Sequence, residues 1–451
     1  MDTFLKHTKE GTIALEILAH LQASGAKAYI VGGCVRDYFL KRSISDIDIA
    51  CNLPWEQSSS ILADTGFKII KTGTKFSCIT AIKEGLSFEI SSFRVDGVYG
   101  NHRSPSSVHL CQDIETDLMR RDFTMNAIAY NPKESFIDPF GGVDDINNSL
   151  IRAVGLADDR FKEDALRILR ALRFAAQTGF IIERSTEEAI FKNHTLLEYV
   201  SQERKASELT KTIVSPNFSA VFRKYHKVLD TCINGIAVLV NYPQNSIYHN
   251  LDLLEHTLKV VEHVKNDKVL KWAALLHDIG KPSVRELDEQ NFAHYPNHCE
   301  AGRILARDAL TKLKFSKKDI ADICILIQYH DLFYTIGPIN GQRLLKLFRG
   351  DLILAEKLIL LMKADANAKS ELGQQSLKEI CDLEKSLKRA SDNNLPFALE
   401  HLKIDGNDLK ANTAICDRQF SLVLDELLDA VIDGKVENNN SDLLEFAKTV
   451  L

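Results

Sequence analysis

No run of apolar residues in this sequence reaches the ~18 residues that a membrane-spanning helix needs. The start, MDTFLKHTKEG, carries no apolar stretch behind a basic residue, so no secretory leader is expected. No two cysteines form a CxxC pair. The nine (Cys34, Cys51, Cys78, Cys111, Cys232, Cys299, Cys324, Cys381 and Cys416) are scattered singly, as fits reduced thiols in a cytoplasm rather than a disulfide-built fold. Repeats at a fixed period are absent, and low complexity is limited to NNNS near the end. An excess of positive charge is missing too. The net charge of −6 excludes a uniformly basic surface, so any phosphate binding must come from local arrangement of Lys and Arg. What is present is 451 residues, 45% of them apolar, which predicts several packed units, each with its own core.

The texture changes along the chain. Ile13, Ile17 and Leu21 recur at helical spacing within residues 1–24, and Gly25 ends the run. From about 27 to 155 short strand patterns dominate: AYIV (28–31), DIDIAC (46–51), FSCITAI (76–82), LSFEISSF (86–93), AIAY (127–130) and LIRAV (150–154). Lys83-Glu84-Gly85 reads as a hairpin turn, with helices at VRDYFL (35–40) and WEQSSSILADTG (55–66). This predicts an α+β unit with a mixed sheet. After about 158 no strand signal is found, and helical patterns succeed one another to the end.

Two features of the first unit carry chemistry. IVGGCVRDYFL places Gly32-Gly33 between a strand and a helix, where bare backbone can approach a phosphate and Arg36 can add a charge-assisted contact. Alone, such a turn is ordinary. Ten residues after Arg36 comes Asp46-Ile47-Asp48. On a strand, i and i+2 share a face, so both carboxylates project together while Ile47 and Ile49 enter the core. Adjacent like charges call for a cation, and oxygen-only ligands suit Mg²⁺, which can serve in-line transfer at a phosphate. Glu89, on the polar face of LSFEISSF, is a candidate third carboxylate; the plain alternative is an exposed strand with alternating charge.

The run GGCVRDYFL…DIDIA, FEISSFRVDGVY, RRDFTMNAIAY, DPFGGVDDI and EDALRILRALRF resembles, in collinear order over roughly 27–210, the bacterial class II CCA-adding tRNA nucleotidyltransferases and their relatives the bacterial poly(A) polymerases. That resemblance implies a nucleotidyltransferase palm followed by a mainly helical neck. It makes Asp46 and Asp48 the catalytic Mg²⁺ ligands and sets Gly33 and Arg36 at the incoming triphosphate. It makes Arg121 a nucleotide-binding residue and Asp122 and Asn126 ribose-side residues. DPFGG (138–142) is similar to the hinge between head and neck, and RVDGVYGNHRSPSSV (94–108) to a flexible loop that helps switch from C to A addition. The partners implied are tRNA, CTP and ATP, with no membrane.

On EDALRILRALRF, Asp164, Arg167, Arg170 and Arg173 recur every three residues as a charged stripe beside Leu166, Leu169 and Leu172. Cytosine and adenine each show an amino donor beside a ring-nitrogen acceptor. Asp164 can accept from the amino group while Arg167 donates to the ring nitrogen, a pair of the wrong sign for uracil and guanine. The alternative is a solvated helix face held by i,i+3 ion pairs.

Further on, His256 in LLEHTLKVV, His277-Asp278 in AALLHDIGKP, His298 in HYPNHCEAG, His330 in LIQYHD and Asp365 in LMKADANA each fall on a separate helical pattern. A lone buried histidine is usually a core residue; a series with an adjacent His-Asp pair is not so easily read. Over roughly 247–370 the pattern resembles the HD superfamily of metal-dependent phosphohydrolases. The resemblance makes His256, His277, Asp278 and Asp365 the ligands of one metal and likens His298 and His330 to the histidines that hold a second ion or a phosphate. Imidazole ligands suit Ni²⁺, Co²⁺, Zn²⁺ or Mn²⁺. The expected organisation is a head at 1–155, a helical neck and body at 156–245, an HD unit at 246–370 and a helical tail at 371–451. The tail looks like the family's tRNA-binding end, but ANTAICDRQ (411–419) replaces the usual Gly/Pro-rich turn. Alternative functions are CC-only or A-only addition, polyadenylation, and a phosphohydrolase whose head merely binds RNA.

Overall fold

The computed structural model describes residues 1–44, 46–71, 77–97, 107–413 and 417–449. These divide into two compact units, 1–234 and 235–451. Among the described residues no helix is long and apolar enough to cross a membrane.

Among the described residues of the first unit, nine strands precede the helical part: β1 (Ala28–Val31), β2 (Asp48–Cys51), β3 (Lys68–Ile70), β4 (Cys78–Lys83), β5 (Leu86–Ser92), β6 (Arg94–Asp96), β7 (Val108–Leu110), β8 (Ala129–Asn131) and β9 (Ser135–Ile137). Seven of them form one mixed sheet in the order β3-β4-β5-β2-β1-β8-β9. The β2–β5 pair is parallel and its neighbours are antiparallel, so the expected α+β head with a mixed sheet is what forms. Lys83 pairs with Leu86, leaving Glu84-Gly85 as the two-residue turn of the β4–β5 hairpin. One face of the sheet packs Tyr29, Val31, Ala50 and Ala129 against Phe93, Ile114 and Leu118. Of the stretch 94–108, residues 98–106 lie outside the described residues; its ends pair as β6 and β7.

The helical part differs from expectation in two places. Ile181–Ile182 (β11) pairs in parallel with Leu150–Ile151 (β10), a two-residue ladder too short to leave a period in the sequence. The expected continuous helix through EDALRILRALRF breaks into Ala157–Glu163 and Leu166–Thr178. Asp164 stands between them in extended backbone (φ −136°), and its own carboxylate takes the Leu166 N–H at 3.2 Å.

Among its described residues the second unit is helical apart from one small hairpin, β12 (Glu286–Leu287) with β13 (Ala293–His294), again shorter than any legible strand pattern. Its centre is the helix Lys268–Leu276, whose residues from Val269 to Leu276 are all buried, Trp272 completely. Leu253–His263, Lys317–Tyr329 and Leu352–Ala368 pack around it, so its C-terminal end lies in the middle of the unit. His277-Asp278 stands at that end. The tail holds a small core of its own, Leu402, Ile404, Leu409, Val423, Leu427 and Leu443. Residues 414–416, the centre of ANTAICDRQ with Cys416, lie outside the described residues.

Candidate active site and metal centre

Register places the head carboxylates. Val31 at the end of β1 faces Asp48 on β2, and Asp48 faces Glu89 on β5 across the parallel pair. Ile47 and Ile49 are buried, while Asp46 and Glu89 are exposed and Asp48 is half-buried, so the alternation read from DIDIA holds although the strand starts only at Asp48. Burial first, then the charges of Glu89 and Asp46, push the Asp48 carboxyl up to about 6 against the pull of Arg121. A carboxyl so crowded by its own kind is a donor set for a divalent cation. Cys78, unread in the sequence, donates its thiol to Glu89 Oε1 at 3.1 Å.

The glycine turn lies beside this group. Gly32 has φ 78°, the left-handed region, and a Cβ there would stand 3.1 Å from Arg121 Nη1 and 3.7 Å from Asp48 Oδ2. The turn is thus bare where carboxylate and guanidinium converge. Gly33 opens the helix Gly33–Phe39, on which Arg36 donates to Asn126 Oδ1 at 2.8 Å and to Asp37 at 3.0 Å. Asn126 in turn donates to Asp122 Oδ1 at 3.0 Å, and Arg170 Nε donates to Asp122 Oδ2 at 2.7 Å. Burial would raise the Asp122 carboxyl, but Arg170 and Asn126 outweigh it and hold the group at about 2. Arg36, Asn126, Asp122 and Arg170 therefore form one chain of hydrogen bonds. The guanidiniums of Arg36, Arg170 and Arg173 all stand over the Phe174 ring, at 5.1, 5.4 and 4.3 Å from its centre. Arg173 also pairs with Glu208 at 3.0 Å. Arg121 is tied to the fully buried Asp117 at 3.4 Å.

The expected base-reading pair is differently engaged. Asp164 accepts from Arg204 Nη2 at 2.8 Å, and Arg167 donates to Glu163 Oε2 at 2.8 Å and to the Arg120 carbonyl at 2.7 Å. Glu163 and Arg204 are the members that sequence reading missed; an EDA tripeptide was visible, but nothing local announces an arginine 40 residues away. At the expected hinge, Asp138 takes the N–H groups of Gly142 and Val143 at 2.7 and 2.8 Å and so starts the helix Gly142–Asn147.

In the second unit the histidines converge. His277, His298 and His330 each direct Nδ1 to the carbonyl three residues earlier (Ala274, Tyr295 and Ile327) at 2.8, 2.9 and 2.8 Å. That bond fixes the tautomer and turns each Nε2 inward. His256 Nε2 lies 3.3 Å from His277 Nε2, 3.5 Å from Asp278 Oδ2 and 3.0 Å from Asp365 Oδ1. His277 Nε2 lies 3.2 Å from Asp278 Oδ2 and 3.8 Å from Asp365 Oδ1. Donors sharing one ion at about 2.0–2.2 Å stand roughly 3–3.5 Å apart, so these four residues fit a divalent metal. All are buried, Asp278 to 1% exposure, and neither Asp278 oxygen has a well-directed hydrogen bond. Burial lowers the His256 imidazole against the pull of Asp365 and keeps it neutral, the form that ligates. Lys281 Nζ at 2.7 Å from Asp278 and Lys369 Nζ at 2.7 Å from Asp365 supply positive charge that was not singled out in the sequence, although HDIGK shows the first three residues after Asp278. The cluster opens on a cavity of about 570 Å³ that Tyr248, His249, Tyr295, Tyr334 and Lys369 help to line.

Comparison with known proteins matches three stretches. The family described as the Poly A polymerase head domain matches residues 28–152, the "Probable RNA and SrmB- binding site of polymerase A" matches 179–228, and the HD domain matches 247–368. A CCA-adding enzyme of Geobacillus kaustophilus is 43% identical over 203 residues, 45% of this chain, which thus spans about half (49%) of that relative. The crystal structure of the Bacillus stearothermophilus CCA-adding enzyme in complex with CTP superposes with a TM-score of 0.73 at 26% identity, covering 98% of each chain. A CCA-adding enzyme of Lactobacillus gasseri is 42% identical over 446 residues, 96% of each chain, and on that full-length likeness this chain belongs to the family of CCA-adding enzymes.

Proposed function

We propose that this chain builds or repairs the 3′ CCA end of tRNA in the cytoplasm, adding nucleotides from CTP and ATP without a nucleic-acid template and releasing pyrophosphate. The observation that supports this best is the meeting of Asp46, Asp48 and Glu89 beside a bare glycine turn and Arg121, in a chain of that family. Asp46 and Asp48, with Glu89 across the sheet, would hold Mg²⁺, which supplies charge stabilisation to the attacking hydroxyl and the leaving pyrophosphate. Gly33 and Arg36 receive the triphosphate, and Arg121 reaches the same turn. Asp122 and Asn126, locked to Arg36 and Arg170, position the ribose. Asp164 and Arg167 read the base edge, with Arg204 and Glu163 holding them until a base displaces those bonds. Residues 1–155 act as head, 156–245 as neck and body, and 371–451 as the tRNA-binding tail.

A second reading concerns 246–370: a phosphohydrolase centre holding a transition metal on His256, His277, Asp278 and Asp365, with His298 and His330 toward a second ion or phosphate. The inward-facing cage carries it.

The deciding experiment offers each NTP to tRNAs that end before, within or after CCA. CTP and ATP should be incorporated in order, and a tRNA already ending in CCA should not be extended. Asp48→Ala should lower incorporation by roughly a thousandfold, the several kcal/mol that a bound cation supplies at about 1.4 kcal/mol per decade. Extension of finished CCA ends by ATP alone would make the chain a poly(A) polymerase, and activity of Asp48→Ala within about tenfold of the parent would overturn the site.

A further inference from the structure

The polar face of the head sheet carries a thiol among its carboxylates. Strand register sets Cys78 opposite Ser91 and Thr80 opposite Glu89, so Cys78 is the diagonal neighbour of Glu89 on the same face. Its Sγ lies 3.1 Å from Glu89 Oε1 and 3.8 Å from the Ile79 carbonyl, so the one thiol proton goes to the carboxylate. Glu89 is in turn paired in register with Asp48 across the parallel strands, and its charge acts on Asp48 more strongly than that of Asp46. The residue before Cys78 is held in a rarer conformation. Ser77 has φ 56°, in the left-handed region that favours glycine, and its carbonyl accepts the Ser92 N–H at 2.9 Å. The chain therefore enters β4 at a fixed point, tied to the end of the strand that carries Glu89.

We propose that Cys78 is a positioning residue for nucleotide transfer: its thiol holds one oxygen of Glu89 so that the other faces the cation that Asp46 and Asp48 would bind. This rests on the reading of the head given above. Glu89 is an exposed side chain, and ordering it only when the cation arrives would cost side-chain entropy. A bond formed in advance removes part of that cost, as the outer partners of metal ligands do. A thiol suits the place because it donates without bringing charge. An ammonium there would compete with the cation for the carboxylate, and a further carboxylate would repel Glu89. The role calls for a donor rather than for sulfur, so a hydroxyl of similar reach can take it over.

Threonine and valine have nearly the same shape and both suit a strand, but only threonine donates. Cys78→Val and Cys78→Thr are therefore compared in the full chain carrying Asp278→Ala, which disables the histidine cage. Mn²⁺ binding to the head is measured beside incorporation of CTP into tRNA lacking its CCA end. Cys78→Val should weaken Mn²⁺ binding and lower kcat by roughly tenfold each, the lower end of what loss of a metal ligand's partner costs, with KM for tRNA unchanged. Cys78→Thr should recover both. With Glu89→Ala added, Mn²⁺ binding by the two variants should no longer differ. Valine and threonine variants that behave alike while Glu89 is present, both intact or both impaired, overturn the assignment. So does a difference that persists without Glu89. A parent chain that incorporates no CTP sinks the reading of the head itself, whereas an active parent with indistinguishable variants sinks only the role of Cys78.

Discussion

Asp122 joins electrostatics to stability in a single side chain. Its carboxylate sits between Asn126 and Arg170 and is held at about 2, below the ordinary 3.8. A group whose folded value is depressed contributes stability that is present above its unfolded value and lost as pH falls through the folded one. The difference corresponds to about 2 kcal/mol. Asp122→Asn should therefore destabilise the first unit by at least about that much at neutral pH, because Arg170 also loses its partner. The gap to the parent should narrow from about pH 4 toward pH 2. With Trp272→Phe removing one of the two tryptophans, Trp55 alone reports urea unfolding of this unit; a gap that does not change with pH would discard the account. At this scale the sequence is legible where partners are near: the i, i+2 carboxylates alternating with Ile47 and Ile49 are written in five letters. Arg204 and Glu208 were not legible, because each meets its partner only through tertiary packing, whereas Lys369 lies one helical turn after Asp365.

Elements carry the next level. Hydrophobic period gave β1, β2, β4, β5 and β8 and most helices, but not short strands such as β3 and β9, nor the break at Asp164, where a side chain competing for a backbone N–H overrides good helix propensity on both sides. Nor did it give the close fit of the turn after Asp278 on the helix His298–Lys312. A Cβ on Gly280 would meet the His298 carbonyl at 2.3 Å and the Gly302 nitrogen at 2.4 Å. Gly280→Ala must push that helix start away, taking His298 with it, at a typical overpacking cost of about 1–3 kcal/mol. The expected result is a lowered melting temperature of the second unit together with loss of bound transition metal, while nucleotide incorporation persists. Full metal content in Gly280→Ala, measured by plasma emission, would show that the contact is not what positions this histidine.

For the whole molecule, the division at 234/235 leaves the head carboxylates in one unit and the histidine cage in the other. The two chemistries should then be separable. Asp278→Ala should abolish hydrolysis of a 2′,3′-cyclic phosphate or terminal phosphomonoester assayed with Ni²⁺, Co²⁺ or Zn²⁺, and spare nucleotide addition. Asp48→Ala should do the reverse. Loss of both activities in either variant would mean that the units depend on one another for folding or catalysis. That the carboxylates of DIDIA precede the histidine series was legible from the residues alone, because strand signals stop near 158 and the histidines of the cage begin at His256; the pairing that builds each site was not.

That pairing has a consequence for how the protein is made. Asp48 meets Glu89 only because β5 inserts beside β2, and the strand on the other flank of β1 begins at Ala129. During vectorial synthesis the two aspartates leave the ribosome first and wait for some forty residues before their third carboxylate emerges, and longer for the sheet to close. On the function proposed above, nucleotide transfer then waits for the completed head sheet, because the half-made chain lacks the Asp48–Glu89 pair.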